Sequence, residues 1–168
     1  DTGGYKEDSP RDGKDMYAKT KALGEVINEK DLSFRTSIIG PELKERGKGL
    51  FHWFMTQTGD VSGYSNVFWT GVTTLELAKA IHEAIQEDLT GLYHLVHEKK
   101  ISKYELLILI KEIWDKPIQI HPTDDPRSDK SLINTRSDFN YQVPDYKTML
   151  VELKDWMESW DYDIYSSA

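Results

Sequence analysis

The chain has 168 residues, 38% of them hydrophobic and 30% charged, which suits a single soluble globular domain with a sizeable core. Its formal net charge of -8 argues against nucleic acid as a partner, because that binding relies on basic patches that neutralise phosphates. The absence of cysteine removes disulfides, thiolate nucleophiles and cysteine-ligated zinc together and fits a cytoplasmic location, and no apolar run approaches the ~20 residues that span a membrane.

The first fifteen residues are rich in Gly, Asp, Lys, Ser and Pro and read as a loop. They open on Asp1 with neither the basic region nor the apolar stretch of a signal peptide, and without a starting methionine, so the chain is expected to be a piece of a longer protein. Residues 16–30 carry helical spacing in Met16, Ala18, Ala22, Leu23, Val26 and Ile27. Residues 33–39 are a β-branched and aromatic run closed by Gly40-Pro41, hence a strand. Residues 50–58 are apolar all round and read as a short buried helix. One or two extended segments follow in 61–70.

Thr73 or Thr74 can cap a helix over 75–86, with Leu75, Ala78, Ile81 and Ile85 as its inner face. Residues 92–96 form a strand after the turn at Gly91. Ser102 with Glu105 makes a capping box for a helix running to Trp114. A strand over 118–121 lies between two prolines, 122–144 is polar and irregular, and 145–160 is a last helix. Its Met149, Leu150, Leu153, Trp156, Met157 and Trp160, with Tyr162 beyond, read as one packed face.

Strands alternate with helices almost throughout, so the class is α/β. A dinucleotide-binding α/β domain opens with a strand, then Gly-x-Gly-x-x-Gly, then a helix. No such motif occurs; Gly47-Lys48-Gly49 lacks the third glycine. His94 and His97, with Glu98, do not read as a metal site, since on a strand the two histidines point to opposite faces.

Tyr17 and Lys21 form Tyr-x-x-x-Lys, and on a helix that spacing puts both side chains on one face. An ammonium close to a phenol favours the phenolate, which suits a phenol that must donate a proton to a carbonyl receiving hydride. With nine tyrosines and sixteen lysines, about one chance match is expected, so the motif needs its context. That context is Gly4-Tyr5-Lys6-Glu7-Asp8-Ser9-Pro10, then Met16-Tyr17-Ala18-Lys19-Thr20-Lys21-Ala22-Leu23-Gly24-Glu25, then Phe34-Arg35-Thr36-Ser37-Ile38-Ile39-Gly40-Pro41. Trp69-Thr70-Gly71-Val72-Thr73-Thr74-Leu75-Glu76-Leu77-Ala78, Gly91-Leu92-Tyr93-His94-Leu95, Ile101-Ser102-Lys103-Tyr104-Glu105 and Asp129-Lys130-Ser131-Leu132 continue it.

In this order the segments resemble the extended short-chain dehydrogenase/reductases that act on nucleotide sugars, most like the dTDP-4-dehydrorhamnose reductase group. The resemblance implies the C-terminal portion of a Rossmann-like NAD(P)-binding fold, over residues 1–41, and a small α/β substrate-binding lobe, over 42–168, with the N-terminal dinucleotide-binding half absent. It implies that Tyr17 is the proton donor or acceptor and that Lys21 holds the nicotinamide ribose. The third member of the catalytic triad, a Ser or Thr, would precede Asp1. Ser37 would contact cofactor and Thr36 substrate, the alternative being a buried strand with satisfied polar atoms. Trp69 and Thr70 would line the nucleotide-sugar cleft, unless Trp69 is a core aromatic. Arg127 and Asp129 would hold nucleotide phosphates and ribose, unless their loop is simply exposed.

The activity so implied is NADPH- or NADH-dependent reduction of a 4-keto nucleotide-diphosphate sugar, in sugar-nucleotide or cell-surface polysaccharide biosynthesis, by a homo-oligomer. An epimerase or dehydratase of the same superfamily, and a non-catalytic subunit like the regulatory subunit of methionine adenosyltransferase, are the alternatives. Two structural expectations follow. The Tyr17–Lys21 helix should pack beside the 33–39 strand, with the 92–96 strand in a neighbouring sheet. An unpaired sheet edge should lie near residues 34–39, and the isolated chain should neither bind dinucleotide nor catalyse reduction.

Overall fold

The computed structural model describes residues 2–44, 47–160 and 165. Helix α1 (Met16–Leu23) starts at Asp15, whose carboxylate accepts the Ala18 amide at 2.7 Å. It stops at Gly24, well short of residue 30. Past that point the Asn28 side-chain oxygen accepts the amides of Lys30 (2.8 Å) and Asp31 (2.6 Å), a local turn that competes with helix. The expected helix is present, but it buries none of its residues, and only Ala18 and Ala22 are half-buried.

The run 33–39 is two strands, β1 (Leu32–Arg35) and β2 (Ile38–Ile39), separated at Thr36-Ser37. The break lets one run serve two sheets. Strand β1 lies parallel to β6 (Gly91–His94), from Leu32 opposite Gly91 to Arg35 opposite His94. The 92–96 run therefore pairs directly with β1 instead of lying in a neighbouring sheet. Strand β2 lies parallel to β5 (Val72–Thr73). That approach requires Gly71, where a Cβ would fall 2.2 Å from the Ser37 carbonyl oxygen. Among the described residues β1 pairs with β6 alone, leaving its other edge open.

The rest of the chain builds a second α/β layer. Helix α2 (Leu50–Met55) buries Phe51, His52, Phe54 and Met55, as its all-round apolar pattern requires. Strand β3 (Val61–Tyr64) runs parallel to β8 (Ile120–Thr123). Strand β8 begins two residues later than expected and contains Pro122, which a two-stranded sheet tolerates on its free edge. Strand β4 (Val67–Trp69) sits between β7 (Ile101–Ser102), antiparallel, and β9 (Ser128–Asp129), parallel.

Helix α3 (Thr74–Gln86) is capped by Thr73, but its inner face is not the expected one. It buries Glu76, Ala80 and Ala84, and leaves Ile81 and Ile85 42% and 70% exposed. The small alanines allow close approach to the core, and Tyr141 donates to the inward Glu76 carboxylate at 2.6 Å.

Helix α4 (Lys103–Trp114) carries both halves of the Ser102–Glu105 capping box. It packs against α5 (Tyr146–Ser159), where Leu106, Leu107 and Ile110 join Met149, Leu150, Leu153 and Met157 in the core. Trp156 and Trp160 fall outside this face, 40% and 72% exposed, contrary to the pattern reading, and Tyr162 lies outside the described residues. No helix among the described residues is long and apolar enough to cross a membrane.

Candidate functional site

Tyr17 is 75% exposed on α1, and Lys21, one turn on, is exposed as well. Among the described residues neither the phenol nor the ammonium has a hydrogen-bond or ion-pair partner, so both are free to meet a ligand. The preceding loop approaches the helix at Ala18, where a Cβ on Gly13 would meet that of Ala18 at 2.4 Å.

Helix α1 does not pack against the 33–39 run as expected; past its C-terminal end, at the C-terminal ends of β1 and β6, charged groups converge that sequence reading missed. Arg35, the last residue of β1, grips both oxygens of Glu25 through Nε and Nη2 at 2.8 Å each. The Glu25 carboxyl is held below its usual range by that Arg35 hydrogen bond, against the opposing effect of burial. Arg11 Nε reaches the same carboxylate at 2.6 Å. Arg35 Nη1 lies 3.0 Å from His94 Nε2, and His94 Nδ1 lies 2.9 Å from the Ile133 carbonyl oxygen.

His94 is fully buried, and that burial pushes its pKa down. Glu7 accepts the His94 amide at 3.1 Å and the Thr135 hydroxyl at 2.6 Å. Burial raises the Glu7 carboxyl, but these hydrogen bonds outweigh it and hold the group below its ordinary range. Arg35, Glu25, Glu7 and His94 all lie in motif segments of the sequence, but their pairing across 10 to 87 positions leaves no signal in spacing.

The remaining predicted residues are dispersed between the β1–β2 break and the rest of the chain. The Thr36 hydroxyl turns to the Ser37 carbonyl oxygen at 3.2 Å, and that same carbonyl accepts the Val72 amide at 2.9 Å, leaving the Ser37 side chain exposed. Trp69 is half-buried, its ring 5.7 Å from that of Tyr146 and packed on the core. Thr70 is buried, and its hydroxyl accepts the Leu132 amide at 2.9 Å. Both are committed to structure in this conformation.

Arg127 and Asp129 do come together. With Asn66, Phe68 and Ser128 they line an open cleft of about 220 Å³. Arg127 projects into solvent, and among the described residues its one ion-pair neighbour is Asp125 at 4.0 Å. Asp129 is instead engaged: Lys100 pairs with it while lying 4.3 Å over the Phe68 ring, and its other oxygen accepts the Ser131 amide at 3.1 Å. Burial opposes ionisation of Asp129, and the Lys100 and Ser131 contacts reverse that and lower its pKa. A wider cleft of about 510 Å³, walled by Trp53, Tyr64, Lys103 and Leu107 among others, contains none of the predicted site residues. His94 and His97 bond separate carbonyls, of Ile133 and Val143.

Comparison of the chain with solved structures places its fold. A crystal structure described as a hypothetical dTDP-4-dehydrorhamnose reductase from Sulfolobus tokodaii is 25% identical, with a TM-score of 0.67 over 86% of this chain. The chain resembles the dTDP-4-dehydrorhamnose reductases. The enzyme of that description from Bacillus anthracis, in complex with NADP, is 18% identical with a TM-score of 0.65 over 83% of this chain.

The fold is shared more widely: the dTDP-glucose 4,6-dehydratase of Bacillus anthracis, in complex with NAD, is 16% identical with a TM-score of 0.65 over 96% of this chain. The chain spans 56%, 52% and 58% of the lengths of these three. No protein-family model and no curated protein matches the chain.

A nicotinamide dinucleotide can be tested against the donor set. A free phenol and a free ammonium on one helix face suit the ribose and reacting end of such a cofactor. Its pyrophosphate needs a glycine turn at a helix N-terminus, and the 168 residues contain no such motif.

Proposed function

We propose that the protein containing this chain reduces the carbonyl of a 4-keto nucleotide-diphosphate sugar. The observation that carries this reading is the solvent-facing Tyr17–Lys21 pair on α1, unpartnered among the described residues, on a helix that leads into Glu25 of the charged cluster at the C-terminal ends of β1 and β6. Open α/β sheets bind ligands at the carboxyl ends of their strands. Residues 1–41 would be the end of the Rossmann-like domain, and 42–168 mainly the substrate lobe.

NADPH or NADH, when bound, would supply the hydride. Tyr17 donates its proton to the carbonyl oxygen, and Lys21 stabilises the phenolate that this leaves and hydrogen-bonds the ribose. Ser37 offers an exposed hydroxyl from the β1–β2 break, with Thr36 beside it. Arg127, with its guanidinium in solvent at the 220 Å³ cleft, is suited to a bidentate grip on a phosphate. Asp129 reaches ribose only if Lys100 releases it. Thr70, buried, shapes the floor of the lobe, and Trp69, half-buried, keeps a surface for the nucleotide-sugar cleft.

Tyr17→Phe in the protein containing this chain is expected to lower turnover at least ~100-fold, the scale of lost general acid–base help. Steady-state kinetics with a 4-keto nucleotide sugar and NADPH reads this, and near-normal turnover would exclude Tyr17 as the acid. Arg127→Ala should weaken nucleotide-sugar binding by about 1.5–3 kcal/mol, the worth of a charged hydrogen bond, and calorimetry showing unchanged affinity would return the loop to a solvent-facing role.

The dehydratase of equal TM-score supports a second reading, epimerase or dehydratase chemistry on the same sugars. Turnover without net consumption of added NADPH, on an enzyme that retains NAD, is its signature.

A further inference from the structure

Helix α1 is 8 residues long and buries none of them. Isolated helices shorter than about 12 residues are marginal in water, because two turns of hydrogen bonds do not offset the cost of nucleation. The helix that carries Tyr17 and Lys21 therefore needs anchoring from outside itself.

The anchor is the Glu25 carboxylate. Arg11 and Glu25 bracket α1 in sequence, and their 2.6 Å ion pair closes a loop around it. Arg35 then ties this loop to β1 through its two 2.8 Å bonds to Glu25. The Glu25 side chain is 13% exposed, so the pair is shielded from water and held in a fixed fork. Arg35 spends its third arm on His94. A guanidinium has no acceptor, so Nη1 donates and Nε2 of His94 accepts. The imidazole proton must then sit on Nδ1, where it donates to the Ile133 carbonyl.

Residue 133 belongs to a segment held against residues 4–7. The Ile133 amide donates to the Tyr5 carbonyl at 2.8 Å, the Gly4 amide to the Ser131 hydroxyl at 3.0 Å, and Thr135 to Glu7. The polar chain thus runs from α1 through β1 and β6 to the loop that follows Arg127 and Asp129.

We propose that Glu25, Arg35 and His94 are positioning residues, which fix where α1 presents Tyr17 and Lys21 and couple that placement to the 131–135 loop. The inference rests on the reductase reading for its catalytic consequence, but its structural half stands on the geometry alone. Substrate seated against the loop is then sensed at the reacting end through hydrogen bonds of defined direction, whatever the rest of the protein packs against α1.

The test uses Arg35→Lys, which keeps the charge and loses the fork, and Glu25→Gln, which keeps the shape and loses the charge, in the protein containing this chain. Amide hydrogen exchange over residues 16–23 should accelerate at least ~10-fold in both, while α4 and α5 amides keep their rates as the check on folding. Long-range nitrogen–proton NMR should find the His94 proton on Nδ1 in the unsubstituted protein.

In Arg35→Lys, kcat should fall ~10–100-fold with the KM for nucleotide sugar within about threefold, since misplacement of a reacting group by an ångström costs on that order. Tyr17→Phe combined with Arg35→Lys should be no slower than Tyr17→Phe alone. Unchanged exchange of 16–23 in both variants, or a His94 proton on Nε2, overturns the proposal. Accelerated exchange together with a fully active Tyr17→Phe leaves the positioning of α1 supported and removes the reductase reading instead.

Discussion

Helices α1 and α5 begin alike. Asp15 accepts the Ala18 amide at 2.7 Å, and Asp145 accepts the Thr148 amide at 2.8 Å. From there they diverge. Helix α5 buries Tyr146, Met149, Leu150, Leu153 and Met157, whereas α1 buries nothing and leaves Met16, Tyr17 and Leu23 at least 75% exposed. One is held by apolar area removed from water, which is non-directional and collective. The other is held at its ends by an aspartate cap and a shared carboxylate, which are directional and few. Within these residues α1 is thus the element that small changes can move, and the α4–α5 core is the part that they cannot.

The contrast can be tested from the largest effect downward. Leu153, with no exposed surface, is expected to cost about 2–5 kcal/mol when replaced by Ala, as other buried leucines do, read from the urea midpoint. A cost under 1 kcal/mol would mean that α5 is not part of a packed core. Gly71→Ala comes next. Its Cβ would meet the Ser37 carbonyl at 2.2 Å, and the backbone shift needed to relieve this should cost about 1–3 kcal/mol while separating β2 from β5. Faster amide exchange at Val72, whose N–H bonds Ser37, would localise the damage.

Acid should loosen the α1 side before the α4–α5 side. The folded-state pKa values of His94, Glu25 and Glu7 all lie below their unfolded values. Each group therefore stabilises the fold above its unfolded pKa, and loses that contribution as pH falls through the folded one. His94 makes stability begin to fall below about pH 6.5, and the two glutamates add a second decline below about pH 4.5. In a pH series of hydrogen exchange, residues 16–23 and 131–135 should lose protection while α4 keeps it. Uniform loss would make the two regions one cooperative unit.

The smallest effect is expected at Leu23. It is 87% exposed, so Leu23→Ala should change stability by no more than ~0.5 kcal/mol. A larger loss would show that α1 packs against something in solution.

Sequence alone determined the α/β class, the helices ending at Trp114 and lying within 145–160, the Ser102 cap, a cap at Thr73 or Thr74 and the Tyr17–Lys21 face. All of these rest on interactions within four residues or on a repeat of 2 or 3.6, so they are written in local order. The reductase likeness was legible for the same reason, as segments in a fixed order.

Tertiary structure decided the rest. Residues 33–39 divide into β1 and β2 because two different partner strands compete for them. Helix α3 turns Ala80 and Ala84 inward, and not Ile81 and Ile85, because close approach favours the small side chains over the more apolar ones. Thr70 and Trp69 are bound into the lobe by Leu132 and Tyr146, neighbours that lie 62 and 77 positions away. The Glu25–Arg35–His94 chain belongs to the same class. Charge, direction and tautomer there are set by groups that meet only after β1 and β6 have paired, and no spacing along the chain encodes a contact that the sheet itself creates.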